Sequence, residues 1–107
     1  MSFIYVASPY SDKDADVVEE RFLAVEKYTA AMLKEEQYLY SPIVHCHSIA
    51  DKYELPLDFN FWKNYNQAML SKASLLVVLM LDGWEESKGV TAEIEFAKSC
   101  GIEVEYV

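Results

Sequence analysis

Ser74-Leu75-Leu76-Val77-Val78-Leu79-Met80-Leu81 is the stretch whose reading decides the fold. Past its serine it shows no polar alternation, the pattern of a strand covered on both faces in the middle of a parallel sheet. Asp82-Gly83-Trp84 closes it with turn-forming residues. Upstream, Phe61, Tyr65, Ala68 and Met69 recur at helical spacing behind the capping residue Asp58, which predicts a helix to about Lys72. Downstream, a helix is expected from near Ser87 to Gly101, a natural stop, and a last strand from Ile102 to Val107. At the start of the chain, Ile4-Tyr5-Val6-Ala7 is a β-prone run that ends at Ser8-Pro9-Tyr10-Ser11-Asp12. Val18, Phe22, Val25, Thr29 and Met32 then keep the helical period between about Asp14 and Glu36. Tyr38 to Ile43 reads as a second strand cut short near Pro42, and His45 to Leu57 is ambiguous, with room for one helical turn.

Strands separated by helices at this spacing imply right-handed βαβ units. The expectation is one domain over residues 1–107: a doubly wound, Rossmann-like or flavodoxin-like three-layer α/β fold with a parallel sheet of about four strands. In such sheets the loops after the strand carboxyl ends build the ligand crevice. Three polar clusters should therefore meet there, Ser8 to Asp12, Ser41 to His47 and Asp82 to Ser87.

Composition narrows the function classes. Of 107 residues, 52% are hydrophobic and 25% charged, with three Gly and three Pro, as in a folded globular chain. The net charge of −9 repels a long polyanion, which argues against DNA or RNA polymers as partners. A single phosphate is still compatible with it, because backbone amides at a helix start can hold one anion. The longest apolar run, Leu75 to Leu81, is far too short to span a bilayer, and the first residues lack the basic start of a secretory signal, so a cytoplasmic protein is expected. Cys46 and Cys100 form no CxxC pair and are expected as reduced thiols.

The last helix carries two carboxylates with different neighbours. Three and four positions away, Glu93 has Gly89, Val90, Phe96 and Ala97, all small or apolar, whereas Glu95 has Thr91, Ala92, Lys98 and Ser99. Glu95 reads as solvated and able to pair with Lys98. Glu93 falls on the face that should pack on the sheet, near the crevice. The residues alone leave two readings of it open, a carboxylate at a helix margin reaching water, or a positioned carboxylate suited to attack on a sugar carbon. Ser87-Lys88-Gly89-Val90 supplies a capping hydroxyl, a cation and a glycine open to close approach, a set that can hold a phosphate; a Ser cap with no ligand is the plainer alternative. No GxGxxG or GxxxxGK[ST] occurs, which argues against dinucleotide and triphosphate-cleaving classes, and no cofactor is expected.

His45-Cys46-His47 invites a metal reading, but no further histidine and only the distant Cys100 could complete a site, so a crevice-lining role is favoured and no metal is expected. Phe61, Trp62 and Tyr65 read as core more readily than as a base-stacking row. Trp84, beside Gly83 in the loop after the long run, is the better exposed aromatic for ligand contact.

Ile4 to Tyr10, Asp82-Gly83-Trp84 and Ser87-Lys88-Gly89-Val90-Thr91-Ala92-Glu93-Ile94-Glu95-Phe96-Ala97 resemble the nucleoside 2-deoxyribosyltransferase superfamily, over nearly the whole chain. The resemblance is closest to small bacterial and phage members. It implies that Glu93 is the nucleophile at C1′ of a ribose or deoxyribose and that Tyr5 helps to position it. It further implies a nucleoside or nucleoside 5′-monophosphate as the ligand. Family transferases have Asp where this chain has Ser87, whereas the 5′-monophosphate N-glycosidases have a phosphate-holding Ser; Ser8 and Ser11 would be its companions and Gly89 part of the same cradle. Facing the base, the family has Asp where this chain has Asn66. An amide can hydrogen-bond a base but cannot protonate a leaving group, so the acid must be another residue, such as Asp58 or Glu54, or water. Homodimers or larger homo-oligomers are implied by the same resemblance. A catalytically silent nucleotide-binding module and a partner-binding protein are the competing expectations.

Overall fold

In the computed structural model, which describes residues 2–107, the elements run β1 (Ile4–Ala7), α1 (Ala15–Lys34), β2 (Leu39–Tyr40), α2 (Pro42–Lys52), α3 (Phe59–Leu70), β3 (Leu75–Val78), α4 (Lys88–Ser99) and β4 (Glu103–Tyr106). The strands form one four-stranded sheet in the order β2-β1-β3-β4, with every pairing parallel. This is the doubly wound, flavodoxin-like arrangement. The chain first steps from β1 to β2, then crosses to the other side of β1 for β3. The strand order therefore reverses between β1 and β3, which opens a crevice beyond their carboxyl ends.

The apolar run centred on Val77 occupies an inner position, as its lack of polar alternation requires. Leu76, Val77 and Val78 are buried. Regular pairing stops at Val78, yet the ladder continues irregularly. Leu79 N–H donates to Ala7 O and Met80 N–H to Val107 O, both at 2.9 Å. Alternation sorts the side chains of the inner strands. Tyr5, Ala7, Leu76 and Val78 share one face, where they pack with Leu70 of α3 and with Val90 and Ala97 of α4. Each large apolar side chain buried there contributes roughly 1.5–3 kcal/mol. Val6 and Val77 take the opposite face, the side of α1 with its buried Val25 and Thr29. The outer strands are modest. β2 spans two residues, and β4 exposes Glu103 and Glu105 on one side of its backbone.

Caps set the helix starts. Asp14, Ser41, Asp58 and Ser87 each accept a hydrogen bond from a backbone N–H in the first turn of the helix they precede. Gly101, at φ 73°, ends α4 as expected, with its N–H on Lys98 O at 3.2 Å.

Two expectations about elements are corrected. Most of an 11-residue helix, Pro42–Lys52, falls in the ambiguous stretch in place of one turn, and Pro42 starts it instead of merely ending β2. Proline at the first helical position has no N–H to lose and a backbone angle already helical, and Ser41 caps it. The second correction concerns α3, which forms where expected but turns a different face inward. Phe61 and Tyr65 are 48% and 39% exposed, Ala68 is exposed, and the inward positions are Trp62, Asn66, Met69 and Leu70.

Candidate functional site

A cavity of about 390 Å³ lies at the reversal point, within the roughly 300–1,000 Å³ typical of small-molecule sites. The three expected clusters meet in it. Ser8, Tyr10 and Ser11 come from the loop after β1, Cys46 and His47 from α2 after β2, and Glu86, Ser87 and Gly89 from the region after β3. The fourth wall is α3, with Trp62, Lys63 and Asn66. Phe59 lies near both lysines of the cavity lining, with Lys88 Nζ 5.5 Å and Lys63 Nζ 6.0 Å from its ring centre. These cations stand against the acidic character of the chain as a whole.

Glu93 projects from α4 into the protein and reaches the cavity wall. Its carboxylate accepts a hydrogen bond from the Tyr5 hydroxyl, which crosses from β1 beneath it. Tyr5 is fully buried. Burial pushes the Glu93 carboxyl up to about 7, and the bond from Tyr5 partly offsets that rise. Tyr5 is driven the other way from ionisation: burial first, then the neighbouring Glu93 charge and the bond to it, raise its phenol far above the ordinary range. Tyr5 is therefore a permanent donor to a carboxylate that gains and loses its proton near neutrality. Glu95, two residues on, is exposed and forms no ion pair with Lys98.

Two buried polar atoms have no partner within the described protein, Ser8 Oγ and Asn66 Oδ1, and both residues line the cavity. Leaving such atoms unsatisfied costs about 1–3 kcal/mol each, so an incoming ligand that bonds to them removes a standing penalty. Ser87 Oγ accepts from Val90 N–H at 3.2 Å and caps α4. A Cβ at Gly89 would meet only Ser87 Oγ, at 3.9 Å, so the protein itself leaves the space above this turn open to the cavity. Ser11 Oγ donates to Leu57 O at 3.2 Å and joins the first loop to the approach of α3.

Other expected site residues are placed differently. Trp84 does not line the cavity. It packs against the core and lies 5.7 Å from the Tyr106 ring of β4. Trp62, expected as core, lines the cavity, and its indole N–H donates to Pro56 O at 2.6 Å. Asp58 lines the cavity while capping α3 through Phe61 N–H at 3.0 Å, whereas Glu54 lies outside it in an exposed turn. Of the His45-Cys46-His47 trio, Cys46 and His47 line the cavity and His45 is exposed against Tyr40.

Arg21, to which the sequence drew no attention, fastens the loops above the site. Its guanidinium donates to Ser11 O at 2.9 Å and Tyr10 O at 3.5 Å in the first loop, and to Asp82 O at 3.2 Å in the third. Gly83 makes room for it. At φ 88° a side chain is already strained, and a Cβ there would sit 2.5 Å from Arg21 Nη2. Gly83→Ala should lower unfolding stability by about 1–2 kcal/mol, measured by chemical denaturation. A neutral result would mean that the guanidinium yields freely and that the clamp is weak.

A search among curated proteins finds no match to this chain. Residues 2–107 match the family described as "Domain of unknown function (DUF1937)". That match takes in the whole sheet and every wall of the cavity, and the chain belongs to this family.

Proposed function

We propose that this protein cleaves or transfers the N-glycosidic bond of a nucleoside or a nucleoside 5′-monophosphate, with Glu93 as the nucleophile at C1′. The observation that carries the reading is the part-buried Glu93 carboxylate at a cavity wall, held by the Tyr5 hydroxyl at the reversal point of the sheet. A carboxylate in that setting stabilises an oxocarbenium-like carbon or captures it as a glycosyl ester, which water or a second base then opens. The resemblance around Gly89 to Ala97 supports the same chemistry. Ser8, Ser11, Ser87 and Gly89 line the cavity and are the proposed phosphate contacts, with Lys88 adding charge. Asn66 offers an unpartnered carbonyl oxygen to a donor on the base. By the same resemblance the working form is a homodimer or a larger homo-oligomer.

Asn66 in place of an acid favours a second reading, a module that binds nucleotides without turning them over. Incubating the protein with a panel of nucleosides and their 5′-monophosphates, then separating free bases by chromatography, decides between them. Base release by wild type and none by Glu93→Ala is the expected result. Equal release by both proteins would remove Glu93 from the chemistry, and calorimetric binding without release would select the silent module.

A further inference from the structure

We infer that Tyr10 delivers the proton to the departing base and that His47, held by Glu19, resupplies it. This rests on the glycosidic reading above. A base leaves C1′ with an electron pair on nitrogen and needs a proton there. Glu93 is engaged at C1′ and the Asn66 amide cannot serve. Asp58 is occupied in capping α3, Glu86 is exposed, and Lys63 and Lys88 lie over the Phe59 ring. One hydrogen-bonded pair of proton-carrying groups remains in the cavity wall, Tyr10 and His47.

Three segments hold that pair. Tyr10 Oη and His47 Nδ1 are 2.6 Å apart. On the far side of the ring, His47 Nε2 lies 3.6 Å from Glu19 Oε2, and the contact becomes an ion pair when the imidazole is protonated. Phe22 stacks on the imidazole at 3.9 Å and 17°. Glu19 and Phe22 are three residues apart on α1, so a single helix face both orients the ring and supplies its counter-charge. The Tyr10 phenol is raised by its burial and then by the charges of Asp51 and Glu19, with Cys46 adding to them, so it stays protonated. The Glu19 side chain is 57% exposed, which gives the chain Glu19–His47–Tyr10 a wet end and a cavity end.

The step balances. The C1′–N bond breaks as a Glu93 oxygen bonds C1′, and the electron pair left on the base nitrogen takes the Tyr10 proton. The Nδ1 proton of the imidazolium moves to the Tyr10 oxygen and leaves neutral His47. When water attacks C1′, the ester bond to Glu93 breaks, and the water proton returns through Tyr10 to His47.

The test compares a purine 2′-deoxynucleoside 5′-monophosphate with its N7-methylated form, whose cationic base leaves neutral and needs no proton. Tyr10→Phe should lose about 100-fold in kcat/KM on the unmodified nucleotide and less than about 3-fold on the methylated one. His47→Gln should show the same selectivity with a loss of about 10-fold or more. Turnover of the methylated nucleotide confirms that each variant is folded. Parallel losses on both substrates would make Tyr10 and His47 structural and overturn the relay alone, as would no loss on either. Wild type inert toward both nucleotides would overturn the glycosidic reading itself, and the relay with it.

Discussion

Glu93→Gln is expected to lower kcat for base release by roughly 10³-fold or more while making the folded protein more stable above neutral pH. The amide fits the same space and still accepts from Tyr5, but it cannot bond C1′ as a carboxylate does. The stability change follows from the proton. The Glu93 carboxyl sits at about 7 in the folded protein against 4.5 for an unperturbed glutamate, so the fold holds this proton more tightly than the unfolded chain does. Its contribution is fully present below about pH 4.5 and is lost as the pH rises through 7. Replacing the group removes that loss. At pH 8 the variant should exceed wild type by about 2–3 kcal/mol in urea unfolding, and the gap should close by pH 4. A variant less stable than wild type at pH 8 would mean that the carboxylate is well solvated and contradict the site as described.

Tyr5→Phe is expected to reduce kcat/KM at pH 7 by about 10–100-fold and to recover part of it in alkali. Tyr5 is the one donor to the Glu93 carboxylate among the described residues. A hydrogen bond to a charged group contributes roughly 1.5–3 kcal/mol, and its loss moves the carboxyl upward by about one to two pH units. On the N7-methylated nucleotide, whose base leaves without a proton, wild-type kcat/KM should climb about tenfold per pH unit below 7 and level off above it, since the nucleophile must be ionised. In the variant the same rise should be displaced toward higher pH. A loss of rate with an unmoved profile would assign Tyr5 a packing role only.

The fold was readable where hydrophobic pattern and burial coincide. Leu75 to Val78 read as a covered strand and Ile4 to Ala7 as a β-prone run, and both are strands; that they pair with each other came from the structure. The pattern failed where an inward face is polar. Asn66 and Gln67 point α3 toward the cavity, so a count of apolar residues selected Phe61 and Tyr65, on the wrong side. α2 has just Pro42 and Ala50 buried, too few to set a period, although Ser41-Pro42 was a start signal in plain view. The small and apolar helical neighbours of Glu93 marked it as lying on the sheet-facing side of α4 but left its purpose open, and the resemblance alone favoured a positioned carboxylate. Arg21 and the Tyr10–His47 pair were not legible, since each acts across segments distant in sequence, and no local pattern encodes which carbonyl or ring lies opposite.

The two margins of the sheet determine how neighbouring molecules can meet. An unpaired strand is a template for strand addition, and natural proteins blunt it by brevity or by charge. Here one margin is the two-residue β2, and the other is β4 with Glu103 and Glu105, whose like charges would oppose each other across a symmetric seam. Crowded copies thus have little means of zipping into continuous ribbons through either margin of the sheet.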